Sequence, residues 1–182
     1  MQLDELKANV KTWSAERGIL EQSTYEKQIE KFFEERAELF TTTDAKDAFG
    51  DQMVCLINAE LLLHTATVKP DFASSKWNNA LSDVEHCLHN LDLPLAIDWL
   101  DTEIMGHNLN PEECYQIAWD NIKHRVGLMI GGLFVKWDNL NQAQRLEVAR
   151  SGQLGRPDVD LAHCKTFCSA EEWTNILRCA DL

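Results

Sequence analysis

Residues 23–61 hold the pattern that most narrows what this chain can become. Ser23-Thr-Tyr-Glu26 has the spacing of a capping box, in which a hydroxyl and a carboxylate satisfy the free amides at a helix start. Tyr25, Ile29, Phe32, Phe33 and Phe40 then follow at helical spacing and are expected to face inward, in a helix ending near Thr41–Thr43. Asp44 is placed to cap a second helix, carrying Phe49, Met53, Leu56, Ile57 and Leu61 to about Thr65. Two amphipathic helices joined by so short a turn are expected to fold back as an antiparallel hairpin.

The remaining punctuation is also helical. Leu3, Leu6, Val10 and Trp13 recur in threes and fours before Gly18. Trp77, Leu81, Val84, Leu88 and Leu91 make a narrow apolar seam that reads as a helix and an interface between copies, after a break at Lys69-Pro-Asp71. Pro94 suits the first turn of a short helix carrying Leu95, Trp99 and Ile104. Asn110-Pro-Glu-Glu113 starts a helix running to about Arg125. Gly127–Lys136 reads as a loop or a short hairpin, Gly152–Pro157 as a linker, and helices are expected over Asn141–Arg150 and Ser169–Ala180. With almost no strand alternation, the fold class is all-α, a bundle of helical hairpins.

The polar faces of the first hairpin carry the chemistry. Lys31, Glu34, Glu35 and Glu38 share one stripe, and Asp47, Asp51 and Asn58 share another on the next helix. Like charges at these spacings repel each other, so the arrangement costs stability unless a cation is present. Facing carboxylates suit Mg2+ with water filling the other positions, and behind it a phosphate-bearing substrate. A solvated acidic face is the plainer alternative. Lys31 can reach a phosphate or bridge to Glu34 and Glu35. Asn58 can contact a sugar or sit satisfied in the core. Trp13 and Trp119 can border a base or simply pack. Arg36 falls on the apolar side of its helix, which an inter-subunit ion pair or an exposed edge would explain.

Gln28-xx-Lys31-xx-Glu34-Glu35-xx-Glu38-Leu39, followed by Asp47-xx-Gly50-Asp51-xx-Val54-x-Leu56, resembles the MazG-like all-α nucleoside triphosphate pyrophosphohydrolases, and most of all those carried by bacteriophages. The likeness extends to Trp13–Gly18, to Glu113-Cys-xxx-Ala118-Trp-Asp-Asn-Ile-Lys123-His-Arg125-x-Gly127, and to Gly132-x-Phe134-Val-Lys136. It implies a catalytic core over residues 1–137, with 138–182 as an accessory helical extension. It also implies Mg2+ as the metal, with Mn2+ an acceptable substitute, and conversion of a (d)NTP to the monophosphate and pyrophosphate. Carried over, Glu35 and Glu38 form one ligand pair and Asp51 ends the other. Ala48 stands where that pair expects an acid, and Asp47 is the nearest substitute. Glu34 or Glu38 would take the proton from the attacking water. Lys31, Lys123 and Arg125 would contact phosphate, Asn58 the sugar and Trp13 the base. The resemblance further implies a homodimer or homotetramer, and a purine triphosphate such as dGTP is compatible with it.

The net charge of −13 argues against nucleic-acid backbone or anionic lipid as partner. No apolar run approaches the ~20 residues of a membrane span, and the N-terminus lacks the pattern of a secretory signal, so a cytoplasmic protein is expected (host cytoplasm, if phage-encoded). The six cysteines are expected as free thiols, and His163-Cys164-xxx-Cys168 lacks standard zinc spacing. Two other functions remain open on the residues alone. One is an acidic helical interaction protein, even a DNA mimic, and the other is hydrolysis of a different phosphoanhydride.

Overall fold

The computed structural model describes residues 1–66 and 82–182. The break expected at Lys69–Asp71 and the Trp77–Leu81 end of the expected interface helix lie outside the described residues. The fold is all-α: helices α1 (Leu3–Glu16), α2 (Ile19–Gln22), α3 (Tyr25–Glu38), α4 (Ala45–Leu61), α5 (Ser82–His89), α6 (Leu93–Gly106) and α7 (Pro111–Ile122) precede a hairpin of β1 (Gly127–Ile130) and β2 (Leu133–Lys136). Helices α8 (Gln142–Arg150), α9 (Leu161–Thr166) and α10 (Ala170–Cys179) follow.

Helix α4 is the axis of the first part. Nearly every residue from Ala48 to Ala59 is buried, because α1, α3, α6 and α7 all pack against it. It runs antiparallel to α3. At one end Arg36 Nη1 reaches Gln52 Oε1 (3.4 Å), and at the other the Tyr25 amide donates to Thr65 Oγ1 (3.0 Å). The Tyr25 hydroxyl donates to the Leu88 carbonyl (2.9 Å) and ties down the end of α5. Gly50 permits the closest crossing: a Cβ there would lie 2.4 Å from the Cys114 carbonyl oxygen of α7 and 2.6 Å from the Ala118 Cβ.

Several local expectations are corrected. The cap of α3 is Thr24, whose hydroxyl accepts from the Lys27 amide (3.3 Å), while the Ser23 hydroxyl turns inward to accept from Gln28 Nε2 (3.0 Å). Phe40 is 81% exposed, since α3 ends at Glu38 before that residue could complete the apolar stripe. Helix α6 is not short. It starts at Leu93 under an Asp92 cap and buries Leu93, Ala96, Ile97, Leu100 and Ile104, leaving Leu95 half exposed. Helix α7 stops at Ile122 rather than Arg125. Helix α9, capped by Asp160, had not been anticipated.

Two apolar clusters result. The larger spans α1 to α7; the smaller gathers Val126, Trp137, Leu140, Val148, Ala149, Leu154, Cys164, Trp173 and Ile176. The hairpin lies between them and divides by strand alternation. The cross-strand pair Met129–Phe134 packs on the larger cluster and Leu128–Val135 on the smaller. The expected linker at Gly152–Pro157 is instead a short 3₁₀ turn with Gln153 and Leu154 buried. The Gln153 amide mimics a third strand: Nε2 donates to the Gly127 carbonyl (3.0 Å) and Oε1 accepts from the Gly127 amide (3.2 Å).

Candidate functional site

The polar stripes of α3 and α4 meet the end of α1, the second strand of the hairpin and the α7–β1 turn around a cavity of about 370 Å3. Lys31, Glu34, Glu35, Asp51, Asn58 and Trp13 line it, together with Arg125. Of the residues singled out in the sequence, four stand apart, and Trp119 is one of them, packed on the larger apolar cluster instead of the cavity. Glu38 is solvent-exposed and does not line the cavity. Asp47 lies one turn before Asp51, with its Oδ1 accepting from Asn121 Nδ2 (2.7 Å). Lys123 pairs with Asp120 and stays outside. Ala48 is 6% exposed and faces the core, so the cavity-side acid of that turn is not at 48.

Two buried polar atoms on the lining have no partner among the described residues: Asp51 Oδ1 and Trp13 Nε1. An unsatisfied buried polar atom costs about 1–3 kcal/mol, so each is expected to serve a purpose. Burial pushes the Asp51 carboxyl up to about 6, and the nearby Glu35 and Asp47 charges push the same way while Arg125 and Lys136 oppose them. Glu35, itself only 7% exposed, accepts from Lys31 Nζ (2.8 Å), which also holds Glu34 (3.1 Å). Burial works against the Lys31 ammonium, but Glu35 and then Glu34 more than offset it and raise its pKa.

The donor set suits a hard divalent cation. Mg2+ is commonly held by one or two carboxylates plus substrate phosphates and water. Glu35 and the orphaned oxygen of Asp51 fit that requirement, with the Asp47 charge felt from one helical turn away. No group of three His, Cys, Asp or Glu side chains converges as a complete protein cage among the described residues. Such a site therefore depends on ligand oxygens to complete it.

Some contributors had no assigned role in the sequence reading. Lys136 faces the cavity from the end of β2; its signal was its place in the Phe134-Val-Lys136 segment. Phe134 packs edge-on against Trp13, with ring centroids 5.5 Å apart, and makes an aromatic wall. Arg17, 3% exposed, holds the α7–β1 turn from below. Its Nε donates to the Arg125 carbonyl (2.8 Å) and its Nη2 to the Lys123 carbonyl (3.0 Å), with the guanidinium 5.0 Å from the Trp13 ring. That fixes the backbone from which the Arg125 side chain reaches the cavity. Asn58 is 3% exposed and its Oδ1 accepts from Ser14 Oγ (2.6 Å), which leaves its amide nitrogen as the group able to donate to a ligand.

Compared with protein-family models, curated proteins and solved structures, the chain matches none. What the site does is therefore argued from its own chemistry. Carboxylates of α3 and α4 with Lys31 among them, Arg125 and Lys136 from the turn and β2, and an aromatic flank suit a charged ligand with a planar ring. None of the helices among the described residues is long and apolar enough to cross a membrane.

Proposed function

We propose that the protein is a Mg2+-dependent nucleoside triphosphate pyrophosphohydrolase, releasing pyrophosphate from a (d)NTP to leave the monophosphate. The observation that carries this reading is the buried, unpartnered Asp51 oxygen beside Glu35, in one cavity with Arg125 and Lys136. A cavity built this way is costly for an empty protein and favourable for a phosphate chain neutralised by a cation. The resemblance to the MazG-like enzymes supports the same reading.

When bound, Mg2+ supplies charge neutralisation and Lewis acidity toward the attacking water, held by Glu35 and Asp51 with Asp47 in support. Arg125, Lys136 and Lys31 bind and align the phosphates for in-line displacement at the α-phosphorus. Glu34 lines the cavity whereas Glu38 does not, so Glu34 is the carboxylate positioned to accept the proton of the attacking water. The Asn58 amide nitrogen contacts the sugar. Trp13 and Phe134 flank the base, and the free Trp13 Nε1–H is available to a base acceptor. A purine triphosphate such as dGTP suits that wall, and the enzyme works as a homodimer or homotetramer.

Incubation with a panel of NTPs and dNTPs, with and without Mg2+, followed by chromatography of the products, tests the proposal. Monophosphate and pyrophosphate are the expected products. Orthophosphate release would move the protein to another hydrolase class, and no turnover of any triphosphate would overturn the reading.

A further inference from the structure

A second cavity, of about 290 Å3, lies between the α7–β1 turn and helix α9. It shares Arg125 and Lys136 with the first, so the two spaces meet at a pair of cations. No hydrogen bond or ion pair to the protein engages either cationic head among the described residues, although Arg125 feels the charge of Asp51. Beyond them stand His124 from the turn and His163 from α9. His124 donates Nδ1–H to the Asp158 carbonyl and His163 donates Nε2–H to Asp138 (3.2 Å), so the remaining nitrogen of each ring donates to an anion only in the protonated imidazolium. The two acids in this cleft are already engaged. Asp138 faces His163, and Asp160 Oδ1 accepts the His163 backbone amide (2.9 Å) as the cap of α9. Beside these two acids the space holds the Arg125 and Lys136 heads and, when protonated, the two imidazoles, on the buried floor formed by Trp137 and Cys164.

We propose that this cleft is an oxyanion subsite that takes the diphosphate end of the nucleotide and holds the departing pyrophosphate. The proposal rests on the pyrophosphohydrolase reading and gives the C-terminal extension a role in it: α9, with the turn at Trp137–Asp138, builds the far wall of the phosphate path. The nucleoside and the metal-binding carboxylates occupy the first cavity. Arg125 and Lys136 span the scissile region, and His124 and His163, as imidazolium, donate to the terminal oxygens.

Isothermal titration of the full chain with inorganic pyrophosphate in Mg2+-free buffer tests the subsite without requiring turnover. The wild type is expected to bind one equivalent. The double variant His124→Gln, His163→Gln is expected to bind about tenfold more weakly, the loss of roughly one good charge-assisted contact. Single His163→Gln, at a side chain 54% exposed, should show the same direction. Unchanged affinity in these variants, or no pyrophosphate binding by the wild type, overturns the proposal. Weakened binding in the variants from a protein that hydrolyses no triphosphate would support the oxyanion cleft and remove the nucleotide reading. Triphosphate turnover with variant-insensitive pyrophosphate binding would do the reverse.

Discussion

Asp51 is held in a place that suits its carboxylate poorly. Its carboxyl is raised from 3.8 to about 6 by burial, then by Glu35 and Asp47, so the unfolded chain ionises first as pH rises. The native state then holds the extra proton, and stability of the metal-free protein falls between pH 3.8 and about 6 and stays lower above it. The shift corresponds to about 3 kcal/mol at most. Asp51→Asn is therefore expected to raise the metal-free melting temperature at pH 7 by several degrees, at roughly 2–4 °C per kcal/mol for a chain of this size. Mg2+ should raise the melting temperature of the wild type and leave that of the variant unchanged. Calorimetry with and without Mg2+ checks both, and a variant that melts lower than the wild type in the absence of metal would contradict the account. Arg36 shows what one residue in a sequence cannot reveal. Neither an inter-subunit pair nor an exposed edge explains it. The guanidinium is 7% exposed and makes a two-pronged pair with Glu103 of α6 (2.6 and 2.8 Å) while lying 4.8 Å from the Trp99 ring. A partner 67 positions away leaves no local trace. Glu103→Ala would strand the buried cation and is expected to cost about 3–5 kcal/mol, read from urea unfolding.

At the scale of elements, the α3–α4 hairpin was legible because its signals are local. Asp44 and Asn110 are readable as helix caps and Asn141 and Ser169 as helix starts, and each accepts a backbone amide from the first turn of its helix. Asn141 also completes a reciprocal pair with Gln144. What failed were facts that depend on neighbours: which of Ser23 and Thr24 caps α3, which face of α6 is buried, and whether Phe40 lies inside. The acidic stripe divides for the same reason. Glu35 turns into the cavity and Glu38, on the last residue of α3, stays in solvent. The α4–α7 crossing gives this scale its own prediction. Gly50→Ala places a methyl against helix backbone, and neither Gly50 nor Cys114 can yield without moving a helix. The substitution is expected to cost about 1–3 kcal/mol and to displace the adjacent Asp51. The measurements are the unfolding midpoint and the Mg2+-induced melting shift, both of which should fall; an unchanged value for both would show that the crossing is slack.

For the whole molecule, the fold class was readable from helix starts and the near absence of strand alternation, but the arrangement of its two apolar clusters was not. A boundary at residue 137 would assign the whole hairpin to one side, whereas its two faces serve both clusters. Gln153, in a stretch whose glycines and proline read as a linker, joins them by pairing with both polar groups of Gly127. Gln153→Leu would leave that buried amide and carbonyl unpaired. It is expected to cost about 2–4 kcal/mol and to speed hydrogen exchange across residues 127–136. Unaltered exchange there would mean that the extension is not anchored through this side chain. The same continuity places the α7–β1 turn, with Arg125, where the helical core and the extension meet the candidate site. The central claim is that Glu35, Asp51 and this turn form one Mg2+-dependent phosphate site. The most direct measurement is the rate of monophosphate and pyrophosphate formation, across the triphosphate panel, by wild type and Asp51→Asn under saturating Mg2+. The account predicts turnover by the wild type and a loss of about a hundredfold or more in a variant that is folded and at least as stable. Equal rates in the two proteins, or no turnover in either, would contradict it.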